Sequence, residues 1–325
     1  QPGNREIRLA HARSLILARQ YAAARAEFSA LLMAAPNDPN LLYTVGMLSF
    51  ELGDASAELL LIRALDSGHP QADIIRIQLG KIAGNRGEHA AARKWFDAVS
   101  SGEHAVEARI LSAKSLAKEG RIKQAQKLLK TARNPEDQRR FLLAESSLLT
   151  EAGRAKDAFA IVEKALRKSP DDNDLLYESA MLADRTGKHA VMEARLRKLI
   201  ALAPEHAHAY NALGFSLADR GKRLNEAEKL IARALELLPK DPFILDSMGW
   251  VRFKRGDLDG ALARLEEAYA LRTDPEIAAH LGEVLWRLNR ADESRRILDN
   301  ALAAHPDNAP LQKTMRRLYK SGKKR

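Results

Sequence analysis

NALGFSLADRG (residues 211–221), DSMGWVRFKRG (246–256) and AHLGEVLWRLN (279–289) align without a gap, and their shared register decides the fold. Each carries glycine at its fourth place, Gly214, Gly249 and Gly282, and ends on Gly221, Gly256 or Asn289, residues that readily terminate a helix. Extended in both directions, the register gives nine units of 33 to 35 residues. They start near Arg5, Pro39, Asp73, Val106, Arg139, Asn173, Ala207, Pro242 and Pro275. A tenth half-unit, Ala309 to Tyr319, predicts a closing helix, and a basic tail follows over 320–325. Self-similarity at such a period is the mark of a stacked repeat array. A length of 325 residues that would ordinarily suggest two domains therefore reads as one solenoid, 1–325.

The columns carry physical meaning. The eighth position of each unit is small throughout: Ala12, Gly46, Gly80, Ala113, Ser146, Ala180, Gly214, Gly249 and Gly282. Glycine inside a helix costs ~1 kcal/mol relative to alanine, so its recurrence predicts two helices crossing too closely for a larger side chain. The fifteenth position holds Gly53, Gly87, Gly120, Gly153, Gly187, Gly221 and Gly256, then Asn289, and predicts left-handed residues closing the first helix. A second small column, Ala24, Ala92, Ala125, Ala158, Ala227, Ala261 and Ser294, lies twelve residues beyond the eighth position, with Ala227 displaced by one inserted residue. Pro36, Pro70, Pro170, Pro204, Pro239 and Pro306 stop the second helices. Apolar residues recur between the stops at helical spacing, as in Leu262, Leu265 and Tyr269. A single helix pair cannot bury such a face alone, so neighbouring pairs must stack.

This column pattern resembles the tetratricopeptide repeat family over about residues 5 to 319, best in the last three units, where Tyr210, Leu213, Gly214, Ala227, Ala234 and Pro239 match. Units four and five depart from it, with Ala113 and Ser146 for glycine and with Asn134-Pro135 two residues ahead of the expected terminal proline. The resemblance implies an all-α, right-handed superhelical solenoid whose first helices line a concave groove with positions 2, 5, 9 and 12. That stripe places Tyr177 and Met181 from unit six and Asn211 and Phe215 from unit seven in a candidate protein-binding groove. Phe243, Asp246, Trp250 and Phe253 from unit eight, with Glu283 and Trp286 from unit nine, complete it. Aromatic anchors flanked by carboxylates and amides suit an extended or helical peptide. Packing of the same aromatics between neighbouring repeats is the alternative, and Trp250→Ala separates the two: weaker partner capture with helicity kept means groove, unfolding means core. The first five units offer Tyr43, Met47, Phe50, Lys81, Lys114 and Lys118 at related positions, a less aromatic and partly basic stripe. Asn211, Asp246 and Ala279 in one column do not suit the carboxylate clamp by which one subtype of the family holds chaperone tails.

Catalytic chemistry finds little support. Without cysteine there is no disulfide, thiolate metal site or thiol nucleophile. No glycine-rich phosphate loop is present, and Gly214-Phe215-Ser216-Leu217-Ala218 lacks the second glycine and the strand of a nucleophile elbow. His206 and His208 form the one close histidine pair but have no HExxH helix, and adjacent Glu266 and Glu267 point in different directions on a helix. A non-enzyme without metal, cofactor or small-molecule substrate is expected. Of the net charge of +10, the end residues Lys313, Arg316, Arg317, Lys320, Lys323, Lys324 and Arg325 supply seven, which fits a solvated terminus better than a nucleic-acid groove. No stretch of 18 apolar residues exists to span a membrane.

A narrower resemblance lies in PFILDSMGW (242–250) and PEIAAHLGEVLW (275–286), which are similar to the C-terminal repeats of proteobacterial tetratricopeptide lipoproteins. That class is periplasmic, anchored to the outer membrane, and acts as adaptors that bring substrates such as peptidoglycan hydrolases to carboxy-terminal processing proteases. It implies a protein-binding adaptor whose lipidated cysteine would lie upstream of Gln1. An assembly scaffold for a pilus, secretion or exopolysaccharide system is the alternative, and a nucleic-acid-binding solenoid the third reading.

Overall fold

A computed structural model describes residues 5–99, 102, 104–131 and 134–322, with side chains described to 319. Their contacts divide the chain into two units, residues 1–158 and 159–325. In the first, α1 (Arg5–Leu17) precedes α2 (Tyr21–Ala34), α3 (Pro39–Glu51) precedes α4 (Ser56–Asp66), and α5 (Ala72–Asn85) precedes α6 (His89–Asp97). α7 (Ala105–Lys118), α8 (Ile122–Leu129) and α9 (Pro135–Glu151) follow, and α10 (Ala155–Leu166) spans the division. The second unit continues with α11 (Asn173–Arg185), α12 (His189–Leu202), α13 (Ala207–Asp219) and α14 (Leu224–Leu237). Then come α15 (Pro242–Arg255), α16 (Leu258–Leu271), α17 (Pro275–Arg287), α18 (Ala291–Ala304) and the closing helix α19 (Ala309–Gly322). Among the described residues every regular element is a helix. Consecutive helices pack as pairs and first helices also touch the next first helix, as α13 does α15 and α15 does α17. This is the architecture of a tetratricopeptide-repeat solenoid.

The small eighth column is where the two helices of a unit cross. A Cβ placed on Gly214 would lie 2.6 Å from Ile231 Cγ1 and 2.9 Å from the Ala227 carbonyl oxygen. On Gly249 it would lie 2.5 Å from Leu265 Cγ, on Gly282 2.7 Å from Leu298, and on Gly80 2.2 Å from the Phe96 ring. Units without the glycine use alanine or serine fully buried at the same place, as at Ala12, Ala113, Ser146 and Ala180. The second small column faces this crossing: Ala24, Ala92, Ala125, Ala158, Ala227 and Ala261 are fully buried, and Ser294 Oγ donates to the Gly282 carbonyl at 2.6 Å.

Turn chemistry follows the fifteenth position. Its seven glycines have φ between 64° and 88°, and Asn289 has φ 63°. Arg19 holds the same conformation in the first unit, at φ 58°. The extra residue of unit seven is absorbed by Arg223, also left-handed at φ 48°, immediately before α14. Asp38, Asp241 and Asp274 cap helices that begin with proline, and each accepts an amide of the first turn.

Unit five begins earlier than its register. The sequence sets its start near Arg139 and has Asn134-Pro135 two residues ahead of the expected terminal proline, but α9 starts at Pro135. Asn134 is extended, and its side chain accepts the Asp137 amide at 2.8 Å, so Asn-Pro opens this helix. A proline with an asparagine before it satisfies N1 and N-cap at once, and position in the chain alone cannot tell that from a stop. Outer faces are laced by ion pairs between units: Arg197 and Arg223 both bridge Glu193 and Glu226, and Arg255 pairs with Glu228.

Two glycines separate packing from conformation. Gly214→Ala overpacks the α13–α14 crossing by about 1–3 kcal/mol, outweighing the helix gain, and lowers the urea midpoint. At Gly84 in α5 the nearest atom to an added Cβ, Ala92 Cβ, is 3.9 Å away. Gly84→Ala therefore raises the midpoint, by up to ~1 kcal/mol of stability. Equal effects at the two sites would refute the crossing as the cause.

Candidate functional site

The predicted stripe sits on α11, α13, α15 and α17, each started by a side-chain cap. Asp172 accepts the Leu175 amide at 3.0 Å, and His206 Nδ1 accepts the Ala209 amide at 3.1 Å. His206 is thus engaged as a cap, with His208 edge-on to it at 6.5 Å between ring centres. Among the described residues no group of three His, Asp or Glu side chains is placed to hold a metal.

Trp250 is the centre of the face. It is 6% exposed, and its indole Nε1 donates to Asp219 Oδ1 at 3.2 Å, from α15 to α13. The His280 imidazole of α17 stacks on it at 4.1 Å with 20° between planes, and Phe253 stacks at 5.1 Å. Lys254 Nζ lies 4.8 Å from the indole centre. Buried Asp246 accepts from His280 Nδ1, which is 2.9 Å from each carboxylate oxygen. A carboxylate only accepts, so Nδ1 carries the proton. Phe215 of α13 closes the group, 6.1 Å from the His280 ring centre.

Burial would lower the His280 proton affinity, but the charge and hydrogen bond of Asp246, helped by Glu276 and Glu283, outweigh it and hold the imidazole above its ordinary range. Glu276 is exposed by area, yet enough of the fold crowds its carboxyl that desolvation pushes it up. Asp246, Asp274 and Asp219 add to that shift against the opposing charge of His280.

The ten predicted residues therefore divide. Phe215, Asp246 and Trp250 come together around His280. Phe253 stacks on Trp250 and also packs against the core formed by Ala261, Leu265 and Leu281. Phe243 stands at the rim, 41% exposed, with the Arg272 guanidinium 5.1 Å from its ring centre. Tyr177 is half-buried 5.3 Å from His206, and burial, then Glu178, raises its phenol. Met181 is half-buried on the same helix, and the Asn211 Oδ1 atom is buried without a donor. Glu283 and Trp286 turn to the closing helix instead. Arg317 clasps Glu283 through both oxygens, and Trp286 meets Tyr319 at 6.0 Å within the cluster of Leu311, Met315 and Leu318. One cation of the basic end is thereby engaged in the fold, while residues 323–325 and the Lys320 side chain lie outside those described.

Within residues 1–158, Tyr43 stacks on His69 at 4.5 Å, Lys81 pairs with Glu107 at 3.0 Å, and Lys114 and Lys118 are exposed. His280 and Asp219 were not selected by the stripe positions. Their available signal is the period itself: Asp246 and His280 are 34 residues apart, and Asp219 and Trp250 are 31 apart.

Tetratricopeptide-repeat family models match residues 110–173, 177–242 and 252–318. The chain belongs to the tetratricopeptide-repeat family. A TPR repeat-containing protein of Pseudomonas aeruginosa, PA4667, is 37% identical over 213 residues, covering 65% of this chain. Those residues span only 36% of that relative's length. The structure of TTC0263, a thermophilic TPR protein of Thermus thermophilus, is similar over 55% of this chain and 97% of its own, with TM-score 0.50 and 24% identity. A tetratricopeptide repeat protein from Parabacteroides merdae is similar over 77% of this chain and 99% of its own, with TM-score 0.58 and 14% identity. These two likenesses concern the fold.

Two outcomes follow for this TPR chain. Because the folded state holds the His280 proton more firmly than the unfolded value of ~6.5, its contribution is full below that pH and is lost as pH rises through the raised value. The melting temperature of the native chain therefore falls relative to His280→Gln as pH rises above ~6.5, and a difference that stays flat with pH would refute the linkage. Trp250→Ala removes a buried ring and costs about 3–5 kcal/mol, read as early melting of the C-terminal helices by hydrogen exchange. Melting at the native position would return Trp250 to the binding surface.

Proposed function

We propose that this chain is the periplasmic part of an outer-membrane lipoprotein that recruits a carboxy-terminal processing protease and that protease's protein substrates. Tetratricopeptide-repeat proteins in general mediate protein–protein contacts. The observation that carries a binding role is the face shared by α13, α15 and α17, where aromatic rings and carboxylates meet and Phe243 stands 41% exposed at the rim. Such a face combines contact area with fixed hydrogen-bonding groups, the combination that anchors a protein segment. The assignment to a protease adaptor rests on the stretches 242–250 and 275–286, and identity of 37% to a Pseudomonas protein is consistent with a proteobacterial setting.

The chain acts in this reading by holding, without making or breaking bonds. Half-buried Phe215, backed by the buried stack of Trp250 and His280 that Asp219 and Asp246 fix, has little side-chain entropy left to lose on binding. Affinity capture from a proteobacterial envelope extract on the immobilised chain tests it. A carboxy-terminal processing protease should be enriched, and Phe215→Ala with Phe243→Ala should weaken its capture about 5–30-fold, the equivalent of ~1–2 kcal/mol. Enrichment of pilus, secretion or exopolysaccharide components without any such protease would overturn the assignment.

A further inference from the structure

α2 and α4, the second helices of the first two units, both pack on α3, and an open trough of about 750 Å³ lies between them. Its floor is Leu32, Val45 and Leu60, which pack together in the core of these units. Ala22, Ala26, Ser29 and Met33 form the α2 wall, one stripe at helical spacing. Met33 is 83% exposed at the rim. Leu59, about one turn from both Ser56 and Arg63 of the α4 wall, is 63% exposed. A concavity of this size, apolar with a few polar groups, is of the kind that takes up a ligand or the side chains of a partner.

Later units carry long or charged side chains where this trough is open. Ser29 stands five residues past Ala24, the place that Asp97, Glu163, Glu266 and Asp299 hold past Ala92, Ala158, Ala261 and Ser294. Glu163 is bridged from α10 to Arg195 of α12 at 3.0 Å. A serine is too short to span neighbouring second helices in that way, and Leu32 and Leu60 stay only half-buried.

An arginine marks each end of the trough. Near the start of α2, Arg25 pairs with Asp54. At the other end, roughly 15 Å further along the helix, Arg63 Nη2 donates to the Pro36 carbonyl oxygen at 2.7 Å and to Asn37 Oδ1 at 3.4 Å. Both acceptors are neutral, and among the described residues no carboxylate forms an ion pair with Arg63. Three carboxylates on or beside these helices are engaged elsewhere, Asp38 with Arg5, Glu27 with Arg8 and Glu58 with Arg86. A guanidinium carries five N–H donors, so with Nη2 engaged, Nη1 and Nε remain to receive a carboxylate. The trough thus joins an apolar floor to one cation that the fold leaves without a counter-charge.

We infer that this trough docks an extended apolar segment of a protein partner that bears a glutamate or aspartate, with apolar side chains over Leu32, Val45 and Leu60 and the carboxylate on Arg63. A run of roughly 15 Å takes four or five extended residues, enough to place both kinds of side chain at once. Arginine suits the task because its planar fork receives a carboxylate through two parallel hydrogen bonds. A basic segment would bring its charge against the guanidinium, so the same end discriminates by repulsion. The trough lies within residues 1–158 and shares no residue with the face of α13, α15 and α17. It therefore adds a second docking place to the proposed function, and its failure leaves that reading standing.

Three fluorescein-labelled peptides with amidated ends test this, alike in length and in a leucine-valine run, and bearing glutamate, glutamine or lysine after the run. Binding to the full chain is followed by anisotropy. The glutamate peptide should bind about three- to tenfold more tightly than the glutamine peptide, with the lysine peptide weakest, and Arg63→Gln should remove the ranking. Arg233→Gln, on α14 and paired with Glu236, should leave it in place. Ala26→Gln with Ser29→Gln fills the trough with long neutral side chains and should abolish binding of all three peptides. Melting curves run beside the titrations confirm that each variant is folded. Tightest binding of the lysine peptide, a glutamate advantage that survives Arg63→Gln, or full binding to the filled double variant overturns the proposal. Decanoate, an apolar chain with a carboxylate and no peptide backbone, serves as competitor. Displacement by decanoate at a lower concentration than by unlabelled glutamate peptide would assign the trough to a lipid and overturn it. Self-association of the chain that the double variant abolishes would assign it to a second copy and overturn it too.

Discussion

The close crossing of the two helices in each unit is the contact on which the remaining structure depends. At Gly214, Gly249 and Gly282 no Cβ fits, because a branched side chain of the second helix, Ile231, Leu265 or Leu298, fills the space over the glycine. The interlocked pair buries one side of each helix and leaves an apolar side that a neighbouring unit must cover. Left-handed residues after the first helix reverse the chain within two or three residues, which sets the second helix back against the first. Where a residue is inserted, Arg223 adopts the same left-handed geometry and the small column still meets its crossing, at fully buried Ala227.

Between units the first helices are joined by polar contacts spaced about one period apart. His280 reaches Asp246, Arg317 reaches Glu283 and Trp250 reaches Asp219, at separations of 31 to 34 residues. Buried charged pairs contribute little net stability once desolvation is counted, but a partner left alone is costly, so such pairs fix which surfaces meet. Apolar stacking alone would allow neighbouring units to slide. The paired groups oppose sliding, and they hold the rings of α15 and α17 where a partner segment would meet them.

Much of this was legible in the sequence, for a reason that differs from residue to residue. Small columns, left-handed glycines and capped prolines report local geometry, which a residue's own size and backbone freedom dictate. One place was left open: Asn134-Pro135 lies two residues ahead of the place of a terminal proline, and Asn134 extends and accepts the Asp137 amide, so the pair starts α9. Both uses of proline are locally allowed, and the choice depends on the chain on either side.

The repeat, the helical pairs, their close crossings and the closing helix can be read from the residues alone, because each of these is governed by backbone conformation and side-chain volume within one unit. Which stripe residues gather into one face depends on how neighbouring units pack. Trp286 and Glu283 hold the same kind of position as Trp250 and Asp246, but a single closing helix follows them and claims both through Tyr319 and Arg317. His280 joined the face from a position outside the stripe, because stacking on Trp250 and bonding to Asp246 depend on how α15 and α17 lie side by side. That relation belongs to neighbouring units together, and a column read down one unit does not contain it.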